Sequence, residues 1–192
     1  MSKTKKSMSA SVPKRKKGRG VAIIYAFIAV VLLSLIWFSF GANVLSPAKQ
    51  SGQSGVPDYL GSLKLATKTE GPQALDQINR LHGTDIKLVS GYIAEYAAIY
   101  GGEKVTVWVG RAKDENDAAE LLQRMAQAIG KGGTPFSAPK QVDISGHQIY
   151  QVQGPGGDNF FYQSHESKTD VVWLTVNSTN PKSLVEKAIM IF

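Results

Sequence analysis

The chain has 192 residues and no cysteine, and its 22 Lys/Arg against 15 Asp/Glu give a formal net charge of +7. Without thiols there are no disulfides, no thiolate catalysis, no cysteine-ligated zinc and no lipoprotein-type cysteine anchor, so a folded region must be held by its apolar core. The charge is also local: residues 1–20 carry eight Lys/Arg (Lys3, Lys5, Lys6, Lys14, Arg15, Lys16, Lys17, Arg19) and no acid, which leaves 14 basic and 15 acidic groups for the rest.

Residues 21–40, "VAIIYAFIAVVLLSLIWFSF", contain no charge. At ~1.5 Å per residue they reach about 30 Å, the hydrocarbon thickness of a bilayer. A signal-peptide apolar core is shorter, about 7–15 residues. The expectation is one uncleaved transmembrane helix. The alternative is a cleaved signal using the small-x-small sites Ser39-Phe40-Gly41 or Ser46-Pro47-Ala48. Lys/Arg beside a span stays cytoplasmic, so residues 1–20 read as a basic cytoplasmic tail with the C-terminal part outside. Trp37 fits an interfacial anchor. The tail is expected to touch anionic lipid at about 1 kcal/mol per basic residue. Nucleic acid is not an expected partner, because the exported part has no basic stripe. A cysteine-free exported domain fits a bacterial or archaeal cell surface. Asn177-Ser178-Thr179 is a sequon, a pattern common enough to arise by chance.

Residues 41–57, "GANVLSPAKQSGQSGVP", have no periodicity and read as a flexible linker. Residues 58–192 have the size of one domain. Apolar spacing predicts a helix over 72–81, with Ala74, Leu75, Ile78 and Leu81 on one side. A second is capped by Asp114 or Asp117, shows Ala118, Leu121, Leu122, Met125 and Ile129, and stops at Gly130. A third begins at Asn180-Pro181 with Leu184, Val185, Ala188 and Ile191 on its buried side. Strands are expected in "SLKLATKT", "IKLVSGYIAEYAAIY" (broken at Gly91), "YGGEKVTVWVGRA", "HQIYQVQ", "NFFYQS" and "DVVWLTV".

A faint repeat links Val107-Trp108-Val109 and its following helix to Val172-Trp173-Leu174 and its helix. The expected fold class is α+β: an antiparallel sheet with helices packed on one face, built from two related β-β-α units in a ferredoxin-like or similar arrangement and preceded by the transmembrane helix. Both tryptophans are expected on central strands beneath helices.

The segments "INRLHGTDIKLVSGYIAEY", "GGEKVTVWVGRAKDENDAAELLQRM", "GTPFSAP" and "GGDNFFYQS…VVWLTV" together resemble a group of uncharacterised single-pass bacterial and archaeal membrane proteins, over residues 60–190. That resemblance implies a folded exported α+β domain and no chemistry. The group's Gly-x-Gly-Gln is replaced here by Gly154-Pro155-Gly156-Gly157-Asp158, so no role for that glutamine is carried over.

Motifs for chemistry are sparse. His82, His147 and His165 form no zinc-protease pattern. His82 reads as a partly charged ring at a helix C-terminus, with a ligand cluster of His82, Asp85 and Glu95 as the alternative. His147 and His165 read as solvated turn residues. "GPGGD" (154–158) lacks the phosphate-loop ending and precedes a strand, so it reads as a hairpin loop. No Gly-x-Ser-x-Gly elbow occurs. No catalytic residue, metal site or cofactor is therefore expected. What remains is aromatic. Phe136 in the Gly/Pro-rich loop 130–140, and the outward members of Phe160, Phe161 and Tyr162, are the candidate binding surface. The expected function is a membrane-anchored extracytoplasmic module, without catalysis, that binds a protein or ligand. The alternatives are a small-molecule sensor or hydrolase with a pocket under loop 130–140, and a structural subunit of an envelope complex.

Overall fold

The computed structural model of the chain describes residues 55–82 and 86–192. The transmembrane helix expected at 21–40, the basic tail and most of the linker lie outside these residues. Among the described residues no helix is long and apolar enough to cross a membrane.

The elements run β1 (Tyr59–Leu60), β2 (Leu63–Glu70), α1 (Pro72–His82), β3 (Ser90–Ala97), β4 (Lys104–Arg111), α2 (Glu115–Gly130), β5 (Lys140–Ile144), β6 (His147–Gly154), β7 (Gly157–Gln163), β8 (Asp170–Asn177) and α3 (Pro181–Ile189). The eight strands form one antiparallel sheet in the order β1-β2-β3-β4-β8-β7-β6-β5. The fold is α+β. Two four-stranded meanders, each followed by a helix, meet where β4 pairs with β8. Trp108 lies directly opposite Trp173 in that central ladder. The two tryptophan strands of the repeat are thus neighbours, and each closes a meander of four strands, not the hairpin of two that was expected.

The helices do not share one face, which corrects the expectation. On one side α1 packs Ala74 and Ile78 against Ile93, with Trp108 beside them. On that same side α2 packs Ala118 and Leu121 against Ala112 and Val171, and Ile129 against Val152 and Phe161, with Trp173 alongside. On the other side α3 packs Leu184, Val185, Ala188 and Ile189 into a core with Val105, Val107, Val109, Val172, Leu174 and Val176. The reason lies in the central strands. β4 and β8 carry valine and leucine on one face and tryptophan on the other, so both faces need a cover. α3 also touches both edge strands, β1 and β5. A flat eight-stranded sheet is roughly 34 Å wide at ~4.8 Å per strand, and a helix only ~10 Å. The sheet must therefore wrap around α3.

Local differences have local causes. Asp114, one of the two expected caps, accepts the Asp117 N–H at 2.9 Å. Leu81 and Ile191, expected on buried faces, are 48% and 40% exposed, while Ile189 is buried. Each lies at or beyond the last turn of a helix that ends there. β1 and β5 were not expected. β1 is only two residues long, too short to show a period. β5 alternates Val142 and Ile144 inward, and its hairpin to β6 turns on Ser145 and Gly146, both at positive φ, as a two-residue type I′ loop requires. The expected strand from Ile86 is regular only from Ser90.

The core begins slightly before the expected boundary at 58. Val56 is 9% exposed and joins the α3-side core. The buried Tyr96 hydroxyl donates to the Pro57 carbonyl at 2.9 Å, which ties this segment to β3. Burial first, and the Asp58 charge second, push the Tyr96 pKa up to about 12. An unfolded tyrosine titrates near about 10, so the folded chain holds this proton more tightly. The associated stability is fully present below pH ~10 and is lost as pH rises toward ~12. Chemical denaturation across this range is expected to show that fall, and Tyr96→Phe to flatten part of it. An unchanged slope in the variant would remove Tyr96 from the account.

Candidate functional site

Three of the four aromatics expected at a binding surface are core. Phe160, Phe161 and Tyr162 are 3%, 0% and 3% exposed. Phe160 and Tyr162 point to the α3 side, and Phe161 to the α2 side. The expectation assumed one bare face on the β6–β7 hairpin, but both its faces lie under helices. Phe136 is half-buried, with its ring centroid 5.1 Å from that of Trp173 in an edge-on arrangement. Loop 130–140 is laid along β6: Ser137 N–H donates to the Gln153 carbonyl at 2.8 Å, and Gln153 N–H donates to Ser137 Oγ at 2.9 Å. Phe136 lies over Gly154, where a Cβ would come within 2.2 Å of the ring. The Phe136 ring fills the space between that loop and Gly154.

Of the three residues of the His82 alternative, two are described. His82 Nδ1 donates to the Ile78 carbonyl at 2.8 Å, closing α1 as expected. Desolvation lowers its pKa, against that hydrogen bond, which raises it. Glu95 pairs with Lys104 at 3.0 Å, and Asp85 lies outside the described residues.

The structure does assemble polar groups elsewhere. A cavity of about 120 Å³ opens where the β5–β6 turn, the end of β7 and the C-terminal turn of α3 meet, and Gly146, His147, Ile149, Tyr162, His165 and Ile189 are among its lining residues. The His147 and His165 rings meet edge to face, with centroids 4.8 Å apart. Tyr162 projects from β7 on the α3 side, and its hydroxyl is buried without a hydrogen-bond partner among the described residues. Burial, helped by the nearby Tyr92 hydroxyl, pushes its pKa far above the usual tyrosine range. It is therefore a neutral hydrogen-bond donor at any ordinary pH.

The other polar side chains in the lining have partners. Gln148 Nε2 donates to Asp143 Oδ2 at 3.0 Å. Gln163 Nε2 donates to the Glu115 carbonyl at 3.2 Å and to the Lys168 carbonyl. Two imidazoles remain at the cavity for a ligand, while the Tyr162 hydroxyl is closed off from it. Sequence reasoning placed both histidines in solvated turns and missed their meeting. A signal was present. The β6–β7 hairpin closes on Gly154 opposite Gly157 and pairs Tyr150 with Phe161; counting outward sets His147 across from Ser164, next to His165.

An unpaired buried hydroxyl is costly, by about 1–3 kcal/mol. Tyr162→Phe, which removes only that oxygen, is expected to leave thermal stability unchanged or to raise it by about 1 kcal/mol. A clear loss of stability in the purified variant would mean that the hydroxyl has a structural partner.

Farther along the same sheet end, Arg111 and Asp170 stand opposite each other in the β4–β8 ladder. Arg111 Nε and Nη2 donate to the two Asp170 carboxylate oxygens at 2.7 and 2.9 Å. This fork ties the two meanders together at their junction and leaves no free group on Asp170 for chemistry.

Compared with known proteins, the chain matches no family model, no curated protein and no solved structure.

Proposed function

We propose that this chain is a membrane-anchored extracytoplasmic binding module. Residues 21–40 hold it in the bilayer, the basic tail lies on the cytoplasmic side against anionic lipid, residues 41–57 are the tether, and the α+β domain works outside the cell membrane. The anchor and its orientation are supported by the uncharged twenty-residue run and by the eight basic residues on one flank of it. The binding role is supported by one observation above all: a cavity with two imidazoles meeting edge to face in its lining. The small, partly apolar recess suits a small ligand oriented by a few polar groups.

The two halves of the proposal are tested separately. For topology, a reporter active only outside the cytoplasm is expected to work when fused after Phe192 and to fail when fused near Ser11. The reverse pattern would refute the orientation. For binding, the full-length chain in detergent micelles is screened by NMR against a set of small polar molecules. The expected result is saturable perturbation of His147, Ile149, Tyr162 and Ile189. If every hit maps to other residues, the cavity is not the site.

A further inference from the structure

We infer that one end of the sheet rests on the outer surface of the bilayer, with Ile99 and Tyr100 of the β3–β4 turn seated among the lipid headgroups. This rests on the anchoring half of the reading above and adds to it a surface and what that surface touches.

The strand registers gather five connections at that end. Tyr59, Lys64, Ala97, Lys104 and Asn177 stand in one row across β1, β2, β3, β4 and β8, and Asp158 of β7 pairs with Val176 beside it. Beyond the row lie the β1–β2, β3–β4, β6–β7 and β8–α3 turns, and loop 130–140 joins them where Phe136 lies over Gly154. Residues 61–62, 98–102, 132–139, 155–156 and 178–180 read GS, AIYGG, GGTPFSAP, PG and STN, without one charged side chain. The opposite end differs: its connections at 112–114 and 164–169 hold Lys113, Asp114, Glu166 and Lys168.

The apolar part of this end is a tip. Ala98 N–H donates to the Glu103 carbonyl at 3.0 Å and closes the turn, and Gly101, at φ 103°, carries the chain round. Ile99 and Tyr100 are left 68% and 92% exposed. An aliphatic side chain beside a ring with a polar end suits the boundary between water and hydrocarbon. The charges nearest the tip are engaged: Glu103 accepts from the Ser178 hydroxyl, and Lys104 pairs with Glu95 at 3.0 Å. Around the turns, the exposed Lys64, Lys131 and Lys182 stand against the exposed Asp58 and the half-buried Asp158. A lysine beside a bilayer extends its ammonium to the headgroups. Reach agrees as well. Residues 41–55 separate the uncharged run from Val56, and a Gly/Ser-rich chain of that length spans roughly 20 Å. Tyr59 and Ala97 lie two strands apart, about 10 Å, so the tether is long enough to let this end meet the lipid and too short to carry it far away. A second copy is a poorer occupant. Two side chains offer far less than the roughly 800 Å² per partner of a standard protein interface, whereas a lipid contact adds to an anchor already in place.

The test uses the full-length chain reconstituted in phosphatidylcholine vesicles that contain a headgroup-spin-labelled lipid. The chain has no cysteine, so Ile99→Cys, Tyr100→Cys, Val89→Cys and Met190→Cys each take a single bimane fluorophore. Val89 and Met190 are also exposed, at 57% and 79%, but lie toward the opposite end: Val89 N–H donates to the Arg111 carbonyl, and Met190 follows Ile189 at the cavity by the β5–β6 turn. All four side chains face solvent, so the variants are expected to fold like the parent. The expected result is quenching at 99 and 100 about threefold stronger than at 89 and 190. Retention of the chain by the vesicles after alkaline carbonate reads the anchor separately. Equal quenching at all four positions, or none at 99 and 100, in a retained chain overturns the inference and leaves the anchoring reading in place. Quenching that appears only after phosphatidylglycerol is added assigns the contact to the lysines and overturns it. Self-quenching at 100 that rises with protein density, in place of quenching by lipid, puts a second copy on the tip and also overturns it. If carbonate releases the chain, the anchoring reading and the inference fall together.

Discussion

Phe161→Ala is expected to cost the domain about 4–5 kcal/mol. Its ring is fully buried. It is sandwiched between Tyr150, at a centroid distance of 5.0 Å and 15° between planes, and Trp173, at 5.1 Å and 10°. Ile129 of α2 and Val152 of β6 share the same cluster. Removing the ring opens a cavity between two large aromatics, and it forfeits both stacking contacts. A domain of this size has only about 5–15 kcal/mol in total, so the variant is expected to be largely unfolded at growth temperature. Urea denaturation of the variant beside Phe136→Ala makes the comparison. Phe136 is half-buried and meets Trp173 only at its edge, so its loss is expected to cost about 1–2 kcal/mol. Equal effects at the two positions would contradict this placement of Phe161.

The second large effect is expected from a single methyl group. Gly157→Ala is predicted to destabilise by about 3–5 kcal/mol. Gly157 sits at φ 129°, and a Cβ there would lie 2.3 Å from the Val176 carbonyl oxygen and 3.0 Å from its carbon. Both are backbone atoms of β8, a strand held on both sides, so neither can move aside at low cost. The Gly157 carbonyl also accepts from Asn159 Nδ2 at 2.9 Å. That asparagine is 1% exposed and accepts in turn from Thr175 and from the Trp173 indole. A shift of the turn would disturb this buried polar knot as well. The control is Gly156→Asn in the same turn: φ is positive there too, at 84°, but the obstructing atom is the Thr175 methyl at 2.8 Å, and asparagine tolerates the left-handed region. It is expected to cost about 1 kcal/mol. If Gly157→Ala melts like the parent protein, the close approach of this turn to β8 is wrong.

What could be read from the residues was whatever depends on short range. The three helices follow from apolar spacing with a cap or a proline at the start. The strands follow from alternation and from glycine-marked turns, and the α+β class follows from the mixture. The pairing of the two tryptophans as equivalents came from a local similarity of strand and helix, and it holds as a direct contact of registers between β4 and β8. The apolar, uncharged run at 21–40 and its basic flank are likewise local properties of composition, and the proposed anchoring rests on them alone.

Everything that depends on what lies above a face was left to the tertiary structure. Alternation shows that Phe160 and Tyr162 face one way and Phe161 the other, but not that α3 covers the first side and α2 the second. An aromatic beneath a helix and an aromatic facing water have the same sequence. Leu81 and Ile191 misled for the opposite reason, because a helical stripe does not say where the helix stops being covered. The meeting of His147 and His165 depends on the register of one hairpin combined with the course of the chain after Gln163, and the cavity they edge exists only because α3 ends at Ile189 against a sheet that has curled to reach it. Long-range closure of that kind is set by the summed packing of many side chains, and no local stretch of the chain encodes it.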